Sequence, residues 1–185
     1  MAITKLDSNV GLVLIDLQKG VVGLPTVHSV NEIVARAARL TRAFRERGLP
    51  VVLVNVTGLA PGRTEAGIPK FAFPEGWTEL VPELERQPGD FLVSKQRFGA
   101  FIGTPLDSYL RSRGVTQVVL GGISTSGGVE ATARSAYDLG YNVAFAVDAM
   151  TDLSEDMHRH SVEKAFPKLG ETGTTESVLK LLKEA

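Results

Sequence analysis

The sequence predicts a single α/β domain in which a doubly wound, Rossmann-like sheet of six mainly parallel strands is flanked by helices. The apolar, β-rich runs are continuous rather than alternating, which indicates strands that are buried on both faces. Stretches with helical spacing separate these runs, and strands that alternate with helices pair in parallel. A length of 185 residues suits one domain, which we take to span residues 1–185.

The first half of the chain predicts three strands and one long helix. The strands are the apolar runs 10–16, 50–56 and 90–95. Ser29 and Glu32 have the spacing of a capping box, and apolar residues at helical intervals continue from there to Gly48. Between the second and third strands, the Gly- and Pro-rich stretch 57–80 predicts a long surface excursion, and such loops are often functional.

The second half continues the alternation with three further strands. These are the runs 117–123, 142–149 and, shortest, 169–173. Thr104 and Pro105 predict the N-cap and first residue of a helix ahead of the fourth strand. The helix after the fourth strand stops at Gly140, Ser154 opens another that extends toward residue 168, and the last begins near Thr175.

Composition excludes several classes of function. The formal net charge of −1 gives no electrostatic footprint for nucleic acid or an anionic membrane surface. No apolar run approaches the roughly 18 residues of a membrane span, and the chain begins without the apolar segment of a signal peptide, so we expect a cytoplasmic protein. The absence of cysteine excludes thiolate metal sites and thiol nucleophiles. His28, His158 and His160 lack the spacing of a zinc motif, so we expect surface histidines and neither a bound metal nor a cofactor.

Polar residues follow the strands at the edge where ligands bind in such folds, beyond the carboxyl ends. Strand one ends in Asp16, strand three ends in Lys95, and strand five delivers Asp148. A buried Asp–Lys pair could hold one proton ready for transfer, because burial disfavours both charges while their attraction favours them. The same spacing equally suits a salt bridge that ties two strand ends together, and spacing alone does not separate these interpretations.

The loop after strand four carries hydroxyl groups and two glycines. Backbone N–H groups at the start of a helix attract oxyanions and carboxylates, and glycine permits a close approach. Ser124, Thr125 and Ser126 offer hydroxyls that suit either N-capping or contact with a substrate. We therefore expect these three residues and Gly127 to bind substrate. The neighbouring sequence offers no partner that could activate a serine as a nucleophile.

Three stretches resemble the isochorismatase-like hydrolase superfamily, and together they extend the resemblance over nearly the whole chain. They are GLVLIDLQKG at 11–20, GWTELVPELERQPGDFLVSKQRFGAF at 76–101 and GGISTSGGVEATARSAYDLGYNVAFAVDAMTD at 121–152. Most members of that superfamily hydrolyse amides with an Asp-Lys-Cys triad. The resemblance puts Asp16 and Lys95 at the acidic and basic positions and Gly128 at the cysteine position. It also implies a cis peptide bond between Ile123 and Ser124.

Glycine at position 128 identifies the chain with a cysteine-less branch and predicts hydrolysis without a thioester. True isochorismatases, which also have glycine at this position, hydrolyse a vinyl ether and release pyruvate. By this resemblance Asp16 is a general acid that protonates the enol ether carbon, and Lys95 orients Asp16 or a substrate carboxylate. Gly128 then contributes only its backbone.

The resemblance further implies a small-molecule substrate, an acid, and a homo-oligomeric assembly. Gln18, Arg97 and Phe98 are expected to contact this substrate, and Arg63 is a weaker candidate for binding a carboxylate. Two other functions stay open. One is a catalytically silent protein that binds small molecules or acts as a scaffold; the other is hydrolysis of a C–N bond by water or by Ser126.

Overall fold

The computed structural model describes residues 3–65 and 73–184, and within them six strands form one sheet. The strands are β1 (Val10–Ile15), β2 (Val51–Val56), β3 (Phe91–Lys95), β4 (Gln117–Ile123), β5 (Asn142–Thr151) and β6 (Glu171–Gly173). Their order across the sheet is β3-β2-β1-β4-β5-β6, and each neighbouring pair is parallel. The predicted fold class is confirmed, with a sheet that is fully rather than mainly parallel.

Helices connect the strands and cover both faces of the sheet. They are α1 (Lys19–Val22), α2 (Val30–Glu46), α3 (Leu106–Ser112), α4 (Glu130–Asp138), α5 (Glu155–His160) and α6 (Thr175–Glu184). Apolar residues of α2 and α6 pack on one face, and those of α3 and α4 pack on the other. Every residue of β1 and β4 is buried, which explains why these two runs are continuously apolar. No helix in the described parts of the chain is long and apolar enough to span a membrane.

The centre of the sheet contains the switch point that positions the site. From β1 the chain proceeds outward to β2 and β3, and it then crosses back through α3 to β4 on the other side of β1. Loops that leave β1 and β4 therefore diverge, and a crevice opens between them at the carboxyl edge, where ligands bind in doubly wound sheets.

Strand β5 contains an irregularity and continues beyond its predicted end at residue 149 to Thr151. The register with β4 shifts between Leu120 and Gly122. Asp148 lies in this irregular part, and its Oδ1 accepts hydrogen bonds from the backbone N–H (2.6 Å) and hydroxyl (2.9 Å) of Thr175. Asp148 thus caps the start of α6 instead of joining the edge where Asp16 lies.

The predicted helix starts are partly correct. Ser29 makes no side-chain capping bond, and Glu32 pairs with Arg36 one turn later, so the expected capping box does not form. Pro105 is the cap residue rather than the first residue of α3. Ser154 does cap α5, where its hydroxyl accepts from the N–H of Met157 at 3.4 Å. Beyond α5 the predicted continuation to residue 168 is a π-helical turn at 161–165 followed by a 3₁₀ turn at 166–168.

Candidate active site

Asp16 lies directly after β1, at the floor of the crevice. Its φ of +51° is in the left-handed region, which few residues other than glycine adopt, so the chain turns sharply here. Backbone bonds hold the turn: the N–H of Asp16 donates to the oxygen of Val54 (2.9 Å), and its own oxygen accepts from Gln18 N (2.9 Å). The Asp16 side chain is only 8% exposed.

Lys95 reaches Asp16 from the end of β3, two strands away in the sheet. Its Nζ donates to Asp16 Oδ2 at 2.7 Å and to the backbone oxygen of Arg97 at 3.2 Å. The Lys95 side chain is 2% exposed, so water screens the pair weakly. The structure therefore brings together the two residues that the sequence puts at separate strand ends.

The two oxygens of Asp16 differ in their partners. Oδ2 accepts from Lys95, whereas Oδ1 is buried without a hydrogen-bond partner among the described residues. Burial raises the pKa of the Asp16 carboxyl to about 6, although the Lys95 ammonium acts in the opposite direction. About a tenth of such carboxyl groups carry a proton at pH 7, so Asp16 can act as an acid near neutrality.

Gly128 lies against the same carboxylate. A Cβ at this position would be 3.4 Å from Asp16 Oδ2 and 2.8 Å from Ile15 Cγ2, so a side chain here requires Ile15 to move. The backbone oxygen of Gly128 accepts from the Thr132 hydroxyl at 2.6 Å, which fixes the loop against α4. The peptide between Ile123 and Ser124 is cis, at the position where the resemblance implies one.

Most of the loop amides have internal partners instead of facing the crevice. Ser126 N donates to Asp152 Oδ2 (2.7 Å), while the N–H groups of Gly127 (3.2 Å) and Val129 (3.1 Å) both donate to the oxygen of Ser124. The sequence predicted free backbone N–H groups that could bind an oxyanion. In the structure these three N–H groups already donate to acceptors within the protein. Asp152 was also missed from the sequence, although this residue is the polar side chain that directly follows β5.

A pocket of about 210 Å³ opens above Asp16, Lys95 and Gly128. Its other described lining residues come from α1, from the last residues of β2 and β4, from the excursion after β2 and from the loops at the carboxyl edge: Val21, Leu24, Val56, Gly58, Leu59, Ala60, Phe73, Trp77, Gln96, Arg97, Phe98, Ile123, Ser124 and Leu153. Arg97, Phe98 and Ser124 were expected at a substrate. Residues 66–72 of the excursion lie outside the described residues, and Arg63 is not in the lining.

Four other residues that were expected to bind substrate lie off the pocket wall: Gln18, Thr125, Ser126 and Gly127. Gln18 is fully buried, and its amide donates to the backbone oxygens of Val56 (3.1 Å) and Trp77 (3.2 Å). Its Oε1 accepts from Val56 N at 2.7 Å. A buried amide has to satisfy these groups, so Gln18 ties the Trp77 segment to the end of β2.

Thr125 faces a pair of histidines on the outer side of the loop. Its hydroxyl lies 2.8 Å from His158 Nδ1, and the ring of His158 meets that of His28 at a centroid distance of 4.6 Å. Burial and the neighbouring His28 lower the pKa of His158. His28 and His160 are exposed, as expected, whereas His158 is partly buried. The described residues contain no group of His, Asp and Glu arranged to hold a metal.

Comparisons with known proteins agree with this geometry. Residues 10–177 match the isochorismatase domain family. The uncharacterized isochorismatase family protein YwoC of Bacillus subtilis (strain 168) is 40% identical over 179 residues, which cover 93% of each chain. The ureidoacrylate amidohydrolase RutB of Methylobacterium radiotolerans is 32% identical over 180 residues, with 83% of this chain and 69% of the relative covered.

Solved structures extend the comparison. An isochorismatase family protein from Burkholderia thailandensis has a TM-score of 0.95 at 40% identity, with 98% of this chain and 100% of that chain covered. N-carbamoylsarcosine amidase from Thermoplasma acidophilum has a TM-score of 0.74 at 24% identity over 91% of this chain and 97% of that chain, a likeness of fold alone. From the family match and these relatives we conclude that the chain belongs to the isochorismatase family of hydrolases.

Proposed function

We propose that the protein hydrolyses the vinyl ether of a small acid without a cysteine nucleophile, with Asp16 as the general acid. One observation carries this proposal: a buried carboxyl group with a pKa near 6 lines the pocket, and one of its oxygens has no described partner. An acid with such a pKa is suited to donate a proton at neutral pH. The chain has no thiol, so a thioester route is closed to it.

The proposed reaction begins when the Asp16 carboxyl donates its proton to the terminal CH₂ carbon of the vinyl ether. The double-bond electrons form the new C–H bond, and the ether oxygen shares the resulting positive charge. Water then adds to the cationic carbon and returns one proton to the Asp16 carboxylate. The hemiketal formed in this way breaks its C–O bond, and the proton of its hydroxyl passes to the departing alcohol. The products are the alcohol and a keto acid.

Lys95 and Gly128 support this step in different ways. The Lys95 ammonium binds Oδ2 of Asp16, which leaves Oδ1 as the oxygen that carries the transferred proton. The ammonium also stabilises the carboxylate that remains after transfer. Gly128 keeps its side of the carboxylate free of any side chain, and Arg97, another lining residue, supplies a guanidinium for the substrate carboxylate.

Hydrolysis of a C–N bond is the second candidate, and the amidohydrolase relatives favour it. Ser126 does not line the pocket and its backbone is held by Asp152, so water activated by Asp16 is the better nucleophile for such a reaction. A catalytically silent binding protein is the third candidate, in which the Asp16–Lys95 pair serves only as a salt bridge.

A screen of vinyl ethers, amides and ureido compounds tests these candidates, with keto-acid and ammonia release as the readouts. We expect keto-acid release by the wild type, a loss of about 1000-fold in Asp16→Asn, and no change in Asp138→Asn, which alters an exposed aspartate on α4. Ammonia release without keto acid would favour the second candidate. Binding without any turnover would favour the third.

We further propose that the protein is a cytoplasmic homo-oligomer. Phe98, which lines the pocket, and Ile102 expose 75% and 57% of their surfaces, and such apolar side chains would be covered in an assembly. Light scattering coupled to size exclusion tests the assembly, and a monomer at micromolar concentration would contradict it.

A further inference from the structure

We infer that the pocket selects substrates that have a single carboxylate and an uncharged, apolar body. This inference rests on the proposed function and deepens it, because it fixes the charge of the group attached to the vinyl ether. It follows from the charges of the described lining residues and from the chemistry of the pocket walls.

The described lining residues leave one cation for a substrate. Their charged members are Asp16, Lys95 and Arg97. Lys95 is only 2% exposed, and its Nζ already donates to Asp16 Oδ2 and to the backbone oxygen of Arg97, so Arg97 is the cation left for a substrate. No carboxylate in the described parts of the chain forms an ion pair with Arg97. Its Nη1 donates to the backbone oxygen of Gln96 at 2.8 Å, which leaves further N–H groups for a ligand. One substrate carboxylate therefore finds a charged partner here, and a second finds none among these residues.

The walls of the pocket oppose a second charge. Phe73 and Trp77 meet edge to face with ring centroids 4.7 Å apart. Gly20 makes room for the indole, since a Cβ on Gly20 would lie only 2.0 Å from Trp77 Nε1. A carboxylate held against these rings and against Leu24 and Leu59 would lose its water without gaining a cation. An apolar ring or chain in the same place gains favourable contact instead.

A matched set of ligands tests the inference. The parent is the cyclohexyl enol ether of pyruvate, and two analogues carry either a carboxylate or a carboxamide on the ring, which separates the effect of charge from that of size. We expect kcat/KM to fall about 100-fold for the ring carboxylate, because its charge must be desolvated without a partner. The carboxamide should stay close to the parent. The Arg97→Gln variant should raise KM for the parent about tenfold with little change in kcat, while exposed Arg113→Gln should behave as wild type.

Binding of the saturated ethers separates this inference from the proposed reaction, because lactate ethers of the same alcohols contain no vinyl group to hydrolyse. Calorimetry with wild type and Arg97→Gln measures their affinity. Tight binding of the monocarboxylate and weak binding of the dicarboxylate support the inference even if none of the vinyl ethers is turned over, an outcome that would overturn the proposed function alone. Equal binding of the two acids, no binding of either, or binding that is indifferent to Arg97→Gln would overturn the inference.

Discussion

A carboxylate–cation pair lies at each end of strand β3, with a buried carboxylate in both, and the two pairs are built differently. At its start, Asp90 receives Arg45 on both oxygens, with Nε 3.0 Å from Oδ1 and Nη2 2.7 Å from Oδ2, and Gln87 N also donates to Oδ2 at 2.7 Å. At its end, Lys95 binds a single oxygen of Asp16 and the other oxygen has no described partner.

The difference shows what separates a structural ion pair from one that can take part in proton transfer, namely whether both carboxylate oxygens already have partners. Arg45 matches the Asp90 carboxylate with a planar fork and satisfies it, so the pair has nothing left to offer a ligand. The Lys95 ammonium is a point charge that leaves one Asp16 oxygen without a described partner, and burial raises the pKa of that carboxyl to about 6. The incomplete pair is the one that can exchange a proton.

Replacing each aspartate by asparagine should give the largest effects, on activity for Asp16 and on stability for Asp90. Asp16→Asn removes the proposed proton donor and should lower kcat about 1000-fold. Asp90→Asn breaks the complete pair and should lower the free energy of unfolding by about 3 kcal/mol with activity retained at low temperature. Rate assays and urea unfolding of both variants check this. Two variants with the same profile would remove the distinction between the pairs.

The pH dependence of kcat/KM should report the acid form of Asp16. In the proposed reaction the protonated carboxyl is the active species, and its pKa is about 6, so the rate should fall about tenfold per pH unit above that value. Lys95→Met removes the cation that lowers this pKa, so the falling limb should move to higher pH while the maximum rate decreases. A limb that stays in place in Lys95→Met would mean that another group titrates.

Restoring a thiol beside the incomplete pair is a smaller perturbation. Gly128→Cys pushes its Cβ to within 2.8 Å of Ile15 Cγ2 and should cost about 1–3 kcal/mol of stability. Ile15→Ala removes that methyl group, so Gly128→Cys should cost less stability in the Ile15→Ala background than in the wild type. Thermal unfolding of the single and double variants measures the coupling, and additive effects would show that Ile15 does not limit position 128.

The smallest expected effect is at Asp152, which holds Ser126 N and Leu153 N at 2.7 Å each without contacting the pocket. Asp152→Asn retains one acceptor and should lower the free energy of unfolding by about 1 kcal/mol. The falling limb of the pH dependence of kcat/KM should stay at the same pH as in the wild type. A shifted limb would indicate that Asp152 acts on Asp16 through the loop.

Sequence patterns predicted the sheet because its strands are buried on both faces and therefore read as unbroken apolar runs. They also predicted that Asp16 and Lys95 meet, since the ends of parallel strands share one edge. The missing parts depend on the direction of individual side chains. Nothing in the residues around Asp148 indicates the irregularity of β5 that turns this side chain toward α6 and leaves Asp152 at the loop.

Gln18 and the loop amides illustrate the same limit. Gln18 was expected to contact substrate because the first stretch of the family resemblance contains it together with Asp16. After the left-handed turn at Asp16, however, its amide is buried against Val56 and the Trp77 segment. The partners of the loop N–H groups come from residues 124 and 152, and only the folded loop brings these within reach.

The position of β3 at the border of the sheet has a consequence for how the protein loses activity. A border strand has a sheet neighbour on one side only, and such strands open at a lower cost than the centre of a domain. Opening of β3 would withdraw Lys95 while Asp16 stays on the central strand's end. Heating should therefore inactivate the protein reversibly, through detachment of one strand, before the remaining five strands melt.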